Sequence, residues 1–334
     1  MMRTIRRLMR LVNAFTFGKG PVYAHYGITH RCNLYCRMCG VRESGDPLKE
    51  LSLVEIRALA RILRSSGVIY VSIGGGEPLL RDDLPEAIRA FSDNGITVRL
   101  LTNGTIVTGD RAKKLVSAGL RNVSVSLDTL DPEEQDSICG VKGAWDRIMD
   151  AIFIFSGLIP RRAGILLINT VVSPVNIAKL PGLVKFAEKK GWFVSFVPIE
   201  ACKGSDMVFA ESDHGIIDKS YDTLIGMKSG GSPIFNSSLF LEKSGQFLKH
   251  KKKNWECDAG RLYFSVNPAG GMSVCHAFGP ECSLSEAGAV KLPRGQAFEA
   301  RRSELIGGCR GCMRPYWAEV SFLFNDRRSF MEMA

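Results

Sequence analysis

A regular alternation of β-branched runs and helix-periodic stretches between residues 22 and 197 constrains the fold more than any other feature of this sequence. We predict six strands, at 22–29, 68–73, 96–101, 123–127, 165–172 and 192–197. Five helices are predicted between them, at 53–63, 84–91, 111–118, 145–155 and 177–189. This alternation is typical of right-handed βαβ units and a parallel sheet. Six units are too few for a closed eight-stranded barrel, so we expect an α/β fold, either an open partial barrel or a doubly wound sheet, with its chemistry at the carboxyl ends of the strands.

The alternation stops after residue 200. Residues 203–233 are rich in Gly, Ser and Asp, with one helix predicted near 214–227, and short hairpin-like strands are predicted at 263–266 and 272–274. These pieces indicate a small cysteine-bearing module and not another βα unit. The predicted organisation is a basic amphipathic arm at 1–20, the βα domain at 21–205, a linker and helical segment at 206–254, and the small module with a tail at 255–334.

The net charge of +10 is concentrated in two places. Residues 1–42 contribute +8, and Lys249 with Lys251 to Lys253 contribute +4, so the rest of the chain sums to −2. Such local basicity argues against a nucleic-acid groove. One helical face of the arm carries the apolar residues Ile5, Leu8, Met9 and Val12. This pattern fits either a helix packed on the protein or peripheral docking on an anionic membrane.

No apolar run reaches the roughly 18 residues that a membrane-spanning helix needs. Asn13 and the glycines at 18 and 20 interrupt any apolar core of a secretory signal. We therefore expect a cytoplasmic protein, with peripheral membrane contact through the arm as an alternative.

Ten cysteines in a reducing compartment point to metal or redox chemistry. Cys32, Cys36 and Cys39 form a C-x3-C-x2-C pattern directly after the first predicted strand. A structural zinc site needs four ligands, and no further Cys or His follows nearby. Three thiolates fit a [4Fe–4S] cluster that keeps one iron free of protein ligands.

The stretch from His30 to Cys39 resembles the cluster loop of the radical S-adenosylmethionine (radical SAM) superfamily. The resemblance extends from about residue 23 to 197, and the tail resembles the Twitch form of the SPASM domain. It implies a partial (β/α)6 TIM-like barrel in which Cys32, Cys36 and Cys39 hold the cluster and its open iron binds S-adenosylmethionine. It further implies reductive cleavage of this cofactor to a 5′-deoxyadenosyl radical that abstracts a substrate hydrogen atom. The implied partners are a small-molecule or peptide substrate and a one-electron reductant such as flavodoxin or ferredoxin.

The same resemblance implies a set of residues that contact S-adenosylmethionine. Gly75, Gly76, Glu77 and Pro78 resemble the GGEP motif, whose glycines allow close backbone approach to the cofactor. Ser126 and Asp128 alternate on one strand face and resemble the ribose-binding segment, although Asp128 also fits a helix cap for Pro132 onward. The weaker candidates are Met38 against the adenine, Asn103 in a turn-like Asn-Gly pair, and Asn169.

A second cysteine set stands near the carboxyl terminus: Cys257, Cys275, Cys309 and Cys312. Its spacing resembles the first half of a SPASM domain, and no cysteine follows Cys312. The resemblance implies one auxiliary [4Fe–4S] cluster with four thiolate ligands, and a four-cysteine zinc ribbon is the alternative. Cys282 is a possible substitute ligand, whereas Cys139 and Cys202 are expected to be ordinary buried thiols.

A cluster with four protein ligands has no iron free for substrate, so we expect it to transfer electrons. This favours a net oxidation or a radical bond formation. The alternatives are an RNA- or lipid-modifying radical SAM enzyme docked through the basic arm, and a non-catalytic Fe–S electron-transfer protein. Five residues are candidates for substrate contact by location alone, and each is expected to be solvated at the surface: Asp206, Glu211, His214, Tyr263 and His276.

Overall fold

The computed structural model describes residues 20–41, 49–200, 207–284 and 296–333. The amphipathic arm, Cys202 and Asp206 lie outside these residues. Within them, one sheet has nine strands: β1 (Tyr23–Thr29), β2 (Tyr70–Gly75), β3 (Thr97–Thr102), β4 (Asn122–Ser126), β5 (Leu166–Val172), β6 (Phe193–Pro198), β7 (Tyr263–Val266), β8 (Gly271–Ser273) and β9 (Cys282–Ser283).

The described helices are α1 (Leu53–Ser66), α2 (Leu84–Asp93), α3 (Gly109–Ser117), α4 (Pro132–Cys139), α5 (Ala144–Leu158), α6 (Leu180–Lys190), α7 (His214–Ser229), α8 (Ser238–His250), α9 (Gln296–Gly307), α10 (Pro315–Asn325) and α11 (Arg327–Met333). Their ends follow local chemistry. For example, Ser52 and Glu55 form a capping box at the start of α1, and Gly67 ends it in the left-handed conformation with φ 107°. Helix α4 was not among the predicted helices.

The sheet runs in the order β6-β5-β4-β3-β2-β1-β7-β8-β9. Neighbouring strands from β1 to β6 are parallel, and β6 does not pair with β1, so the six βα units form an open arc. The α/β fold predicted from the sequence, a partial (β/α)6 TIM-like barrel, is confirmed. Buried aliphatic side chains such as Ile56, Ile73 and Leu100 fill the space between the helices and the sheet.

The small module continues the same sheet. Strand β7 pairs in parallel with β1, with Tyr23 opposite Tyr263 and Tyr26 opposite Val266, and β8 and β9 then follow in antiparallel order. The two predicted hairpin strands are therefore present, but the sequence did not show that they join the barrel.

A second core lies where this module meets the first strand. Phe240 and Phe247 of α8 pack there with Trp255, Tyr263 and Trp317. Helix α8 falls in the segment predicted as a linker with one helix, and its apolar face is buried. Across the described ranges, no helix is both long enough and apolar enough to cross a membrane.

Candidate functional site

A cavity of about 610 Å³ opens at the carboxyl ends of the barrel strands. Its wall brings together most of the residues that the sequence analysis selected. These are Cys32, Cys36, Cys39, Gly75, Gly76, Asn103, Ser126, Asp128 and Asn169. Met38 is half-buried against the main core, and Glu77 and Pro78 are buried; none of these three is part of the cavity wall.

The two glycines at the end of β2, Gly75 and Gly76, are needed because this turn packs directly on the cysteine loop. A Cβ on Gly75, whose φ is 118°, would lie 2.2 Å from the Thr29 carbonyl oxygen, and one on Gly76 would lie 2.1 Å from the Arg31 carbonyl oxygen. The backbone N–H of Gly76 donates to the Thr29 carbonyl, and that of Glu77 donates to the Arg31 carbonyl. The backbone of this turn thus lies directly against the start of the cysteine loop, and its approach to S-adenosylmethionine stays a prediction.

Glu77 turns away from the cavity and supports the end of β3. Its carboxylate accepts hydrogen bonds from the Leu79 N–H at 3.0 Å, the Thr102 hydroxyl at 2.8 Å and the Asn103 N–H at 2.7 Å. Burial raises its pKa to about 7, against the effect of these donors. The structure therefore gives Glu77 a positioning role behind the wall.

Asp128 lies at the cavity, just after β4. Its Oδ1 accepts from the Val171 N–H at 2.7 Å, and its own N–H donates to Oε1 of Gln135 at 2.9 Å. Burial raises its pKa to about 7. Its side chain does not cap α4, because Asp131 accepts from the Glu134 N–H at that helix start.

A polar network that the sequence analysis missed joins β3 to the cysteine loop. Asn103 Nδ2 donates to Asn33 Oδ1 at 2.9 Å, and Asn33 Nδ2 donates to the Thr105 hydroxyl oxygen at 2.8 Å. Asn103 Nδ2 also lies 4.0 Å from Cys32 Sγ. Side-chain amides that follow the ends of β1 and β3 were the only available signal for this network.

The three loop cysteines differ in exposure. Cys32 and Cys36 are half-buried and Cys39 is exposed. Cys139, at the end of α4, lines the same cavity, and its side chain is hydrogen-bonded to that of Cys36. It is buried as expected but it is not isolated. Among the described residues, no three His, Cys, Asp or Glu side chains are arranged to hold a single metal ion.

The second cysteine set converges on a smaller cavity of about 90 Å³. Cys257, Cys275, Cys309 and Cys312 all contribute to its wall, whereas Cys282 does not. Backbone N–H groups donate to two of the sulfurs, from Ala277 to Cys275 at 3.4 Å and from Gly311 to Cys309 at 3.3 Å. Burial raises the pKa of Cys275 to about 11 and that of Cys312 to about 12, so both are thiols at pH 7 unless a cation binds.

The expectation of a solvated Tyr263 was wrong, because this side chain is fully buried. It packs in the second core, and its hydroxyl group is hydrogen-bonded to Cys257 Sγ at 3.1 Å. Glu211 is exposed and His214 is half-buried, and neither lines one of the two cavities.

Polar side chains stand where the two cavities adjoin. His276 lines both cavities, and Arg314 and Tyr316 line the larger one. His25, which the sequence analysis missed, stacks on Tyr316 with ring centroids 5.2 Å apart. Burial and the charge of Arg314 lower the pKa of His25 to about 4, so its imidazole is neutral at pH 7.

Comparison with protein families tests the resemblance to the radical SAM superfamily. Residues 26–187 match the profile of the Radical SAM superfamily. The chain belongs to the radical SAM superfamily. The matched residues contain the cysteine loop and strands β2 to β5, which together form most of the larger cavity.

Curated radical SAM relatives have different activities. The chain is 36% identical over 182 residues to a probable GTP 3′,8-cyclase of Methanococcus maripaludis, and 34% identical over 173 residues to an AdoMet-dependent heme synthase of Methanosarcina barkeri. These matches cover 52% and 51% of this chain, and 58% and 48% of the relatives, so the chain spans about half the length of each. The mycofactocin maturase MftC of Mycolicibacterium smegmatis is 26% identical over 323 residues, which cover 93% of this chain and 80% of MftC.

Solved structures show the same fold over nearly the whole chain. Streptococcus suis SuiB bound to S-adenosylmethionine superposes with a TM-score of 0.62 at 16% identity, covering 95% of this chain and 68% of SuiB. The anSMEcpe structure with AdoMet and the Cp18Cys peptide gives a TM-score of 0.63 at 16% identity, covering 94% of this chain and 96% of that chain. The common fold therefore includes both the barrel and the carboxyl-terminal module.

Proposed function

We propose that this radical SAM enzyme carries out a net oxidation or an oxidative bond formation with two [4Fe–4S] clusters, one in each cavity. The observation that carries the proposal is the convergence of Cys257, Cys275, Cys309 and Cys312 on a small cavity that adjoins the larger one through His276 and Phe278. Electron transfer benefits from such adjacency, because a substrate in the larger cavity would lie close to the second cysteine set.

In the larger cavity, Cys32, Cys36 and Cys39 fit a cluster with three thiolate ligands. Bound there in its reduced form, the cluster supplies the electron that cleaves S-adenosylmethionine. Ser126 and Asp128 would hold the ribose hydroxyl groups, and Asn103 and Asn169 face the same space. Glu77 keeps Asn103 in place through the hydrogen bond to its backbone, and the backbone after Gly75 would receive the ammonium group.

In the smaller cavity, the four cysteines would supply all the ligands of a bound metal group. No His or carboxylate ligand is then required. Four thiolates around one tetrahedral zinc ion would lie about 3.8 Å apart, given Zn–S bonds near 2.3 Å. A four-iron cube holds its thiolates further apart. The spacing of the four cysteines along the chain resembles that of an auxiliary-cluster domain, so the cube is the group we favour, and one zinc ion is the alternative.

A peptide is the substrate class we favour. SuiB has been solved with the precursor peptide SuiA, and MftC, which matches 93% of this chain, is a maturase. A small molecule is the other candidate. We further propose that residues 21–205 bind S-adenosylmethionine, that residues 255–334 bind the auxiliary cluster, and that a flavodoxin or ferredoxin supplies the electron.

Anaerobic reconstitution tests the proposal. We expect about eight irons per chain from two cubes. Replacing Cys32, Cys36 and Cys39 by Ala should leave about four irons and abolish dithionite-driven release of 5′-deoxyadenosine. Replacing Cys309 and Cys312 by Ser should also leave about four irons but preserve that release. One zinc and about four irons in the wild-type protein would refute the auxiliary cluster and keep the first site.

A further inference from the structure

The end of helix α4 is bonded directly to the cysteine loop. The Tyr35 N–H donates to the Cys139 carbonyl at 2.9 Å, and the Arg37 N–H donates to the Ile138 carbonyl at 3.1 Å. These two donors flank Cys36 in the sequence, so the backbone on both sides of this ligand is held by the end of α4. This arrangement fixes the Cys139 side chain beside that of Cys36, and the two are hydrogen-bonded.

The orientation of the Gln135 amide follows from its neighbours. Its Oε1 accepts from the Asp128 N–H at 2.9 Å and from the Thr129 N–H at 3.0 Å. Because both partners are backbone donors, the amide oxygen must face them and the amide nitrogen must point the other way. Gln135 Nε2 therefore donates to Cys139 Sγ, at 3.2 Å.

Ligation of Cys36 would set the direction of the thiol hydrogen bond. The Cys139 sulfur accepts from Gln135, and its single proton can still be donated. When Cys36 is a cluster ligand, it is a thiolate and has no proton to donate. The Cys139 S–H is then the donor and Cys36 Sγ is the acceptor.

We propose that Cys139 is a positioning residue that donates a hydrogen bond to the ligand sulfur of Cys36 and raises the reduction potential of the first cluster. Reduction adds negative charge to the cluster, and a proton directed at a ligand sulfur stabilises that charge. Gln135 orients this proton and also holds the Asp128 backbone, so one amide links the ribose segment to the cluster loop. The inference rests on the proposed first site but not on the auxiliary cluster.

The test is an EPR-monitored redox titration of the reconstituted full-length protein without S-adenosylmethionine. The cluster of interest is identified in parallel samples as the one whose reduced EPR signal changes when S-adenosylmethionine is added. Cys139→Ala removes the donor and Cys139→Ser replaces it by a hydroxyl group. Ile138→Val is the matched control, since it removes a similar volume from the neighbouring buried side chain and keeps the thiol.

We expect the midpoint potential of Cys139→Ala to be more negative than that of the wild type, and those of Cys139→Ser and Ile138→Val to stay within the error of the titration. A wild-type potential in Cys139→Ala, or an equal shift in Cys139→Ser, would overturn the inference. If the alanine variant loses the cluster, the midpoint potential is measured in Cys139→Val instead, because valine also lacks the thiol but fills the space of the cysteine side chain. Loss of the cluster from both variants would also overturn it, because the thiol would then be needed for assembly. Absence of any cluster that responds to S-adenosylmethionine in the wild type would instead refute the proposed function.

Discussion

The Trp317 indole N–H donates a hydrogen bond to Nδ1 of His276 at 3.2 Å, and the two rings are nearly parallel, with an interplanar angle of 7°. Trp317 is buried in the second core, and His276 is in the wall of both cavities. The side chain between the proposed substrate space and the second cysteine set is therefore oriented by the carboxyl-terminal module.

Replacing Trp317 by Phe should keep an aromatic ring in the core but release His276. The variant loses the indole donor and part of the packing against Tyr263, whose ring centroid lies 4.5 Å away. We expect the free energy of unfolding to fall by about 1–3 kcal/mol, measured by urea denaturation. Trp145→Phe is the control, because the buried indole nitrogen of Trp145 has no hydrogen-bond partner. An equal loss in both variants would argue against the role of the hydrogen bond.

Binding of S-adenosylmethionine should depend on the protonation of Asp128. Its pKa is raised to about 7, so the carboxylate that accepts ribose hydroxyl protons is lost as the pH falls through 7. We expect the affinity, measured by anaerobic calorimetry, to weaken between pH 8 and pH 6. Asp128→Asn should bind about tenfold more weakly at pH 8, with this pH dependence absent. An unchanged pH dependence in the variant would show that another group is responsible.

Glu77→Gln tests the group that supports the end of β3. All three partners of this carboxylate are donors, so an amide NH₂ would face at least one of them and lower the free energy of unfolding by about 1–3 kcal/mol. The Glu77 pKa is raised from 4.5 to about 7, so between these pH values the folded state binds a proton that the unfolded state does not bind. The stabilisation that this proton gives to the wild-type protein is fully present below pH 4.5 and is lost as the pH rises through 7.

The penalty of Glu77→Gln should therefore shrink between pH 5 and pH 8. The difference between the two proteins is the relevant measurement, because the other raised carboxyl groups, Asp128 and Glu319, are common to both. A penalty that grows with pH would contradict the assigned direction of the pKa shift.

Gly76→Ala should displace the cysteine loop. The new Cβ would lie 2.1 Å from the Arg31 carbonyl oxygen, where only backbone movement relieves the contact. We expect a loss of about 1–3 kcal/mol in stability and a lower iron content after reconstitution. Gly157→Ala, in α5 with open space around it, is the control and should be neutral or stabilising by up to about 1 kcal/mol. Normal iron loading in Gly76→Ala would show that the loop tolerates the displacement.

The sequence was sufficient for the barrel strands, and its motifs selected nine of the residues in the wall of the larger cavity. Strand periodicity is a local property, and polar residues at the ends of parallel strands meet at one edge of the sheet, so Ser126, Asp128 and Asn103 could be placed together. The orientation of Glu77 away from the cavity was not predictable, because the motif gives its position in the chain but not the three donors that surround its carboxylate.

The sequence did not predict contacts between segments that are distant along the chain, because such contacts depend on how the elements pack and not on local periodicity. Cys139 was assigned to the ordinary buried thiols because it stands alone in the sequence, whereas its contact with Cys36 depends on how α4 packs on the loop. The pairing of β7 with β1 was likewise not predictable from the residues of either strand, since an apolar edge strand and an apolar interior strand have similar compositions.

That pairing makes the first strand an interior strand of one continuous sheet. Cutting the chain before β7 would uncover a full row of unpaired backbone groups along β1, which is the type of edge that drives aggregation. An exchange of carboxyl-terminal modules between related enzymes would therefore have to preserve the register of Tyr23 with Tyr263. Main-chain hydrogen bonds between β1 and β7 therefore tie the geometry of the carboxyl-terminal module to that of the barrel.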